Sequence, residues 1–283
     1  MFTLFAAEGD IVVEVKQNQF PDGTLHLNLP PYDVSCIRWD YESDAELFTL
    51  ICLKKYYDQW SDSIALSLPY IPHARMDRVK NTEDVFTLKY FCEIINSLNF
   101  CEVAVFDAHS NVSLALLDKV YQVPIAEALR PVLSSVVYQI VGNIGHNGRI
   151  KAYEDLILFF PDEGAMKRYS SETELPYAFG MKKRNWETGK IEGLQVINGE
   201  MVKDKNVLIV DDICSRGGTF FHSARALKEL GAKKIFLYVS HAEDTMVDGE
   251  MYNTPGLVDR IYTTNTIFHK EKDVRDKVEI VRI

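Results

Sequence analysis

The chain has 283 residues, long enough for two α/β domains or one large one. Hydrophobic residues make up 47% and charged residues 25%, so a sizeable core can form. The 31 Lys and Arg against 41 Asp and Glu leave a formal net charge of -10. That argues against the basic face that broad nucleic-acid binding needs, but not against an anionic small molecule held by local charge and backbone N–H groups.

Apolar runs of strand length alternate with segments of helical period. Ile11–Val15, Thr24–Leu29 and Val34–Arg38 read as strands. Ser43–Tyr57 reads as a helix with Ser43 as its N-cap and Leu47, Leu50, Ile51 and Lys54 near one face. Ser63–Ile71 reads as a strand and Asp84–Leu98 as a helix. Glu102–Asp107 is almost wholly apolar, the mark of a strand buried in a parallel sheet. Ile125–Ile140 reads as a helix. The run Gly142–Gly148 then signals a linker.

After it the pattern restarts. Asp155–Phe160, Pro176–Met181, Lys205–Val210, Ile235–Ser240 and Arg260–Thr263 read as strands. Gly164–Ser170 and Gly217–Leu230 read as helices, the second ended by Gly231. The expected fold class is α/β, with two similar, open, mostly parallel-sheet domains covering 1–141 and 142–283.

The cysteines Cys36, Cys52, Cys92, Cys101 and Cys214 form no CxxC pair, and their odd number suits reduced thiols. Residues 1–10 lack a basic segment followed by a long apolar one, so no signal peptide is expected. No apolar stretch reaches bilayer length. The expected location is cytoplasmic, with neither membrane nor nucleic acid as a partner.

The most informative stretch is Val207–Phe220. A hydrophobic strand leads to Asp211-Asp212, then Ile213, Cys214, Ser215 and Arg216, and Gly217-Gly218-Thr219 opens a helix. Acids at the carboxyl end of a strand sit where open α/β sheets bind ligands, and can accept hydrogen bonds from ribose hydroxyls. The glycines let backbone N–H groups approach a phosphate, and the helix N-terminus adds a favourable field. A lone Asp-Asp would be an ordinary pair of solvated acids. The whole pattern is similar to the phosphoribosyl-diphosphate signature shared by type I phosphoribosyltransferases and ribose-phosphate pyrophosphokinases.

Four further segments favour the second family. Phe20-Pro21-Asp22-Gly23-Thr24 resembles its Phe-Ser-Asp-Gly-Glu. The stretch from Pro69-Tyr70 to Ala74-Arg75-Met76-Asp77-Arg78 resembles Pro-Tyr…Ala-Arg-Gln-Asp-Arg. Val105–His109 resembles a strand ending in Asp-Leu-His. Pro161-Asp162-Glu163-Gly164 resembles Pro-Asp-x-Gly, with Lys182-Lys183-Arg184 downstream in place of Asp-Lys-Arg-Arg.

The resemblance implies two phosphoribosyltransferase-like domains. It also implies transfer of pyrophosphate from ATP to the C1 hydroxyl of ribose 5-phosphate, with Mg²⁺ as cofactor. By the match, Phe20, Asp22, Arg75, Asp77 and His109 bind ATP, and His109 and Asp162 serve the metal. Lys182, Arg184 and His109 are catalytic, within a polar lid over Lys182–Gly193. Asp211, Asp212, Ser215, Arg216, Gly217, Gly218 and Thr219 bind the sugar phosphate. Phe20–Gly23 enters a neighbouring subunit, so a homo-oligomer, dimer or hexamer, is implied.

The chain also departs from the family pattern. Thr24 and Met76 replace a glutamate and a glutamine near the nucleobase. Residues 79–84 are shorter and more acidic than the family's basic regulatory stretch. Ser215-Arg216 replaces Asp-Thr, making the loop more positive and opening the alternative of a more anionic acceptor such as ADP-ribose. A phosphoribosyltransferase and a non-catalytic regulatory homologue are the rival readings.

Overall fold

The computed structural model describes all residues except 7–9, 143–145, 185–190 and 275. The chain divides into two compact units, Met1–Pro124 and Ile125–Ile283.

The first unit carries β1 (Phe2–Phe5), β2 (Ile11–Val15), β3 (Asn18–Gln19), β4 (Leu25–His26), β5 (Cys36–Trp39), α1 (Glu46–Tyr57), β6 (Ala65–Leu68), α2 (Thr87–Ser97), β7 (Val103–Phe106), α3 (Asn111–Leu116) and β8 (Val120–Val123). Its six-stranded sheet has the order β2-β1-β5-β6-β7-β8. Strands β5 to β8 pair in parallel, and β1 pairs antiparallel with β2 and β5. The core gathers Phe2, Leu4, Trp39, Leu50, Leu53, Leu66, Leu68 and Phe91.

The stretch Thr24–Leu29, expected as a full strand, pairs only at Leu25–His26, because its partner Asn18–Gln19 is equally short. Helix α1 begins at Glu46 with no side-chain cap, so Ser43 does not cap it. Its inward face is Glu46, Thr49, Leu50, Leu53, Lys54 and Tyr57.

Glu46 is a buried carboxylate at 4% exposure. It accepts hydrogen bonds from the Met1 ammonium (2.6 Å), the Trp39 indole N–H (2.9 Å), the Glu42 N–H (2.9 Å) and Gln17 Nε2 (3.2 Å). Burial pushes its pKa up, but the bonds from Met1, Trp39 and Glu42 outweigh that and hold it below the ordinary value. A lowered carboxylate pKa contributes stability above the unfolded-state value, and that stability is lost as pH falls through the folded one. Glu46→Ala is therefore expected to cost about 2 kcal/mol at pH 7, where it strands the Trp39 and Glu42 donors. Urea denaturation should show the gap narrowing below pH 4, roughly the ordinary glutamate value. An equal gap at pH 7 and in acid would discard the charge argument.

The second unit carries α4 (Ala126–Val141), α5 (His146–Glu154), β9 (Leu156–Phe160), α6 (Glu163–Tyr169), β10 (Tyr177–Arg184), β11 (Ile191–Ile197), β12 (Asn206–Cys214), α7 (Gly218–Glu229), β13 (Ile235–Ala242), α8 (Glu250–Asn253), β14 (Arg260–Thr264) and β15 (Val278–Val281). Its seven-stranded sheet has the order β11-β10-β9-β12-β13-β14-β15, parallel except for the β10–β11 pair. Every residue of β9 and β13 is buried, as strands covered on both faces require.

The division falls before α4, not at the glycine-rich run. Helix α4 belongs with the second unit because Ser135 donates to Glu279 on β15 and the Gln139 carbonyl accepts from Lys234. The expected linker is also helical from His146 onward, while residues 143–145 lie outside the described part.

Gly231 ends α7 as expected. It adopts φ +90, its N–H bonds the Lys228 carbonyl, and the Ala232 N–H bonds that of Leu227, forming a Schellman motif. Among the described residues, no helix is long and apolar enough to cross a membrane. Of the free cysteines, Cys92 and Cys214 are buried and Cys101 is exposed.

Candidate active site

In the second unit, the chain moves from β9 outward to β10, then returns to add β12 on the other side of β9. That reversal is a topological switch point, where the loops on either side diverge and leave a crevice at the carboxyl ends of the strands. Asp162 follows β9, and Asp211 and Asp212 lie near the end of β12, so the crevice is flanked by acids.

Strand β12 does not stop at Val210. It continues through both acids to Cys214, with Ile213 opposite His241 and Cys214 opposite Ala242. Asp212 is 3% exposed and stands 3.4 Å from Arg168 of α6. Asp211 is half-buried and accepts the Asp212 N–H at 3.0 Å. Burial, with the neighbouring charges of Asp212 and Asp162, pushes the Asp211 carboxyl well above the usual range. A hydroxyl donor or a cation bound there would favour the charged form and relieve that cost.

Asp162 is the N-cap of α6, its Oδ1 accepting the Ala165 N–H at 3.0 Å. The plainer reading, an acid that starts a helix, holds for this oxygen and leaves Oδ2 available. Gly164 makes room for the cap, since a Cβ there would sit 3.1 Å from Oδ1.

The glycine loop ends where α7 begins. Gly217 adopts φ +72 at the N-cap position and is buried, while Arg216, Gly218 and Thr219 are exposed and Ser215 is half-buried. Backbone N–H groups at the start of this 12-residue helix lack partners within the helix, and the helix dipole is positive there. The arrangement suits an anion.

The segment expected as a polar lid, Lys182–Gly193, begins and ends in strand. Lys182 pairs opposite Leu194 and Lys183 opposite Gly193 in the antiparallel β10–β11 pair, with a register irregularity before Arg184. Strand β9 ends at Phe160, opposite Phe179, so residues 180–184 run on past the carboxyl edge of β9. Residues 185–190 of the expected lid lie outside the described part.

In the first unit, β6 and β7 are adjacent and parallel, so the loops after them leave from one sheet edge. The loop after β6 carries Arg75, exposed, and Asp77, which pairs with Arg78 at 3.0 Å. The loop after β7 carries buried Asp107 at φ +42 and half-buried His109. A left-handed non-glycine residue at a strand end is strained, and such residues cluster at functional sites. Phe20 and Asp22 sit elsewhere in this unit, at the tip of the β3–β4 hairpin. Phe20 is 51% exposed with its ring against His26, and Asp22 accepts from the Thr24 N–H and hydroxyl.

Arg168, the cation beside Asp212, leaves no mark in the sequence beyond its place on the helix that Asp162 opens. The Thr245 hydroxyl lies 3.2 Å from that of Ser215, a contact between loops with no local signature.

Comparison with known proteins accords with this geometry. A phosphoribosyl transferase domain family matches residues 164–253, which include the acids of β12 and the glycine loop. The ribose-phosphate pyrophosphokinase of Thermococcus kodakarensis is 28% identical over 267 residues, covering 92% of this chain and 88% of its own. That of Campylobacter jejuni is 30% identical over 219 residues, or 75% of this chain and 64% of its own. The chain belongs to the ribose-phosphate pyrophosphokinase family.

The fold agrees with that membership. The crystal structure of phosphoribosylpyrophosphate synthetase from Mycobacterium smegmatis superposes with a TM-score of 0.74 at 18% identity, covering 96% of this chain and 87% of the other. Ribose-phosphate pyrophosphokinases are transferases, so the two units form the scaffold of a transferase family.

Proposed function

We propose that this protein transfers the pyrophosphoryl group of ATP to the C1 hydroxyl of ribose 5-phosphate. The observation that carries the reading is the switch point between β9 and β12, with Asp162, Asp211 and Asp212 at the strand ends and the α7 N-terminus following β12. Asp211 and Asp212 accept from the ribose hydroxyls, and the N–H groups of Gly217 to Thr219 bind the 5-phosphate, with Ser215 and Arg216 beside them. Arg75, with its guanidinium fork, takes the ATP phosphates, and Asp77, Phe20 and Asp22 complete the nucleotide site.

The sugar O1 attacks the β-phosphorus in line, the bond from the β-phosphorus to the α–β bridging oxygen breaks, and AMP leaves with that oxygen. The O1 proton is released. Lys182 and Arg184 hold the charge of the transferring group, so positioning and electrostatics supply the catalysis.

A divalent cation such as Mg²⁺ fits this donor set. Among the described residues no three His, Cys, Asp or Glu side chains form a metal cage, and Mg²⁺ ordinarily takes one or two carboxylates plus substrate phosphates. Asp162 supplies an oxygen. His109, a nitrogen donor, suits the water shell of the ion or the phosphates. Bound there, the ion would neutralise phosphate charge.

The deciding experiment is mass spectrometry of products from ATP and ribose 5-phosphate, expected to show AMP and phosphoribosyl pyrophosphate. ADP as product would sink the reading, and a purine base consumed without ATP would favour a phosphoribosyltransferase. No turnover at all would favour a non-catalytic homologue. The same assay with ADP-ribose tests the alternative acceptor suggested by exposed Arg216.

A homo-oligomer accompanies this reading, with Phe20–Gly23 reaching a neighbour. Helix α1 also leaves Phe48 61% exposed beside a groove of about 540 Å³ lined by Leu25, Leu27, Leu29, Cys52 and Tyr56, apolar surface that assembly would cover. Light scattering should find a dimer or larger at assay concentration. A fully active monomer would contradict it.

A further inference from the structure

We propose that Gly249 is a positioning residue for the sugar-phosphate loop, acting through its lack of a side chain. The inference rests on reading residues 215–219 as the 5-phosphate site. Gly249 lies between a 3₁₀ turn (Asp244–Asp248) and α8, outside every motif found in the sequence. A Cβ placed on it would stand 1.8 Å from the carbonyl oxygen of Arg216, 2.7 Å from its carbonyl carbon and 3.2 Å from its Cα. These are backbone atoms, so any larger residue must displace either the loop or the segment behind it.

Gly249 itself has φ -88 and ψ 158, extended backbone that any residue adopts. Its requirement is therefore one of space and not of conformation. Neighbouring contacts bear on the same loop. Gly217, at φ +72, would meet Met251 at 3.0 Å if it carried a Cβ, and Met251 is fully buried. Thr245 Oγ1 lies 3.2 Å from Ser215 Oγ and donates to Glu243 Oε2 at 3.2 Å. The Glu243 N–H donates to the Cys214 carbonyl at 2.8 Å. Residues 243–251 thus form a wall behind residues 214–217, and at Gly249 that wall leaves no room for a side chain.

A loop pushed off this wall would misplace its N–H donors, and about 1 Å of misplacement can cost on the order of 10²-fold. The test is calorimetric binding of ribose 5-phosphate to the full chain with a non-transferring ATP analogue present, together with KM values for both substrates. Gly249→Ala is expected to weaken ribose 5-phosphate by at least about tenfold while the KM for ATP stays near that of the parent. Gly256→Ala is the control. At φ +70 with nothing within 4 Å of its Cβ, it strains the backbone away from the loop, so it should lower the melting temperature and leave sugar binding intact.

Should Gly249→Ala not fold, Thr245→Val carries the test. It removes one hydrogen bond to Ser215 and should weaken the sugar phosphate roughly fivefold. A folded Gly249→Ala that binds ribose 5-phosphate like the parent, or that loses ATP equally, would overturn the inference alone. Parental binding by Thr245→Val would do the same where it stands in. A parent protein that does not bind ribose 5-phosphate would overturn the functional reading, and the inference with it.

Discussion

Lys182→Ala is expected to lower kcat roughly 10²–10³-fold with little change in the KM for ATP. The proposed ammonium acts on the transferring pyrophosphoryl group, whose charge distribution changes as O1 approaches and AMP departs. An interaction that strengthens only in the transition state lowers kcat when lost, whereas one equally strong in the ground state would raise KM. Strand β10 supplies an internal control. Lys183 is the next residue of β10, and the family motif aligns with Lys182 and not with it. Lys183→Ala should therefore be close to neutral. Single-turnover kinetics on both variants would decide the register. Near-normal chemistry in Lys182→Ala with loss in Lys183→Ala would shift the assignment by one residue, and no effect in either would remove this strand from catalysis.

Excess EDTA is expected to stop turnover completely, with Mg²⁺ restoring it. The ATP phosphates bring several negative charges to a site whose own acids Asp162, Asp211 and Asp212 repel them, and Arg168 stands 3.4 Å from Asp212. Without a cation, the phosphates and carboxylates cannot share the crevice at low cost. Asp162→Asn refines the point. Asparagine caps a helix as well as aspartate does, so α6 keeps its start. The substitution removes one charge and replaces the second carboxylate oxygen, Oδ2, with an amide NH₂ that cannot ligate a cation. The Mg²⁺ concentration for half-maximal activity should rise at least about tenfold, in the range seen when a metal site loses a supporting group. An unchanged Mg²⁺ requirement in Asp162→Asn would take that residue out of metal binding, and undiminished turnover in EDTA would end the metal-dependent reading altogether.

Several features of the protein are legible in its residues alone. Asp155–Phe160 and Ile235–Ser240 read as strands because each is a nearly unbroken apolar run of strand length, and the buried strands observed are Leu156–Phe160 and Ile235–Ala242. Gly231 reads as a helix stop because only glycine takes φ +90 without strain. The Asp-Asp to Gly-Gly-Thr pattern reads as a sugar-phosphate site because its parts are contiguous. Tertiary structure decided what depends on partners distant in sequence. Strand β12 runs on to Cys214 because β13 pairs with it there, although the acids break the apolar run. The β3–β4 hairpin is short for the converse reason, since Asn18–Gln19 offers Leu25–His26 nothing further to pair with. Lys182–Arg184 continues β10 because Ile191–Ile197 pairs alongside it. Helix α4 joins the second unit through Glu279 and Lys234, residues that no reading of the helix itself could supply. Arg168 beside Asp212 and Gly249 against Arg216 are contacts of the same kind. A glycine with ordinary φ leaves no mark in a sequence, because what demands it is the backbone of another loop.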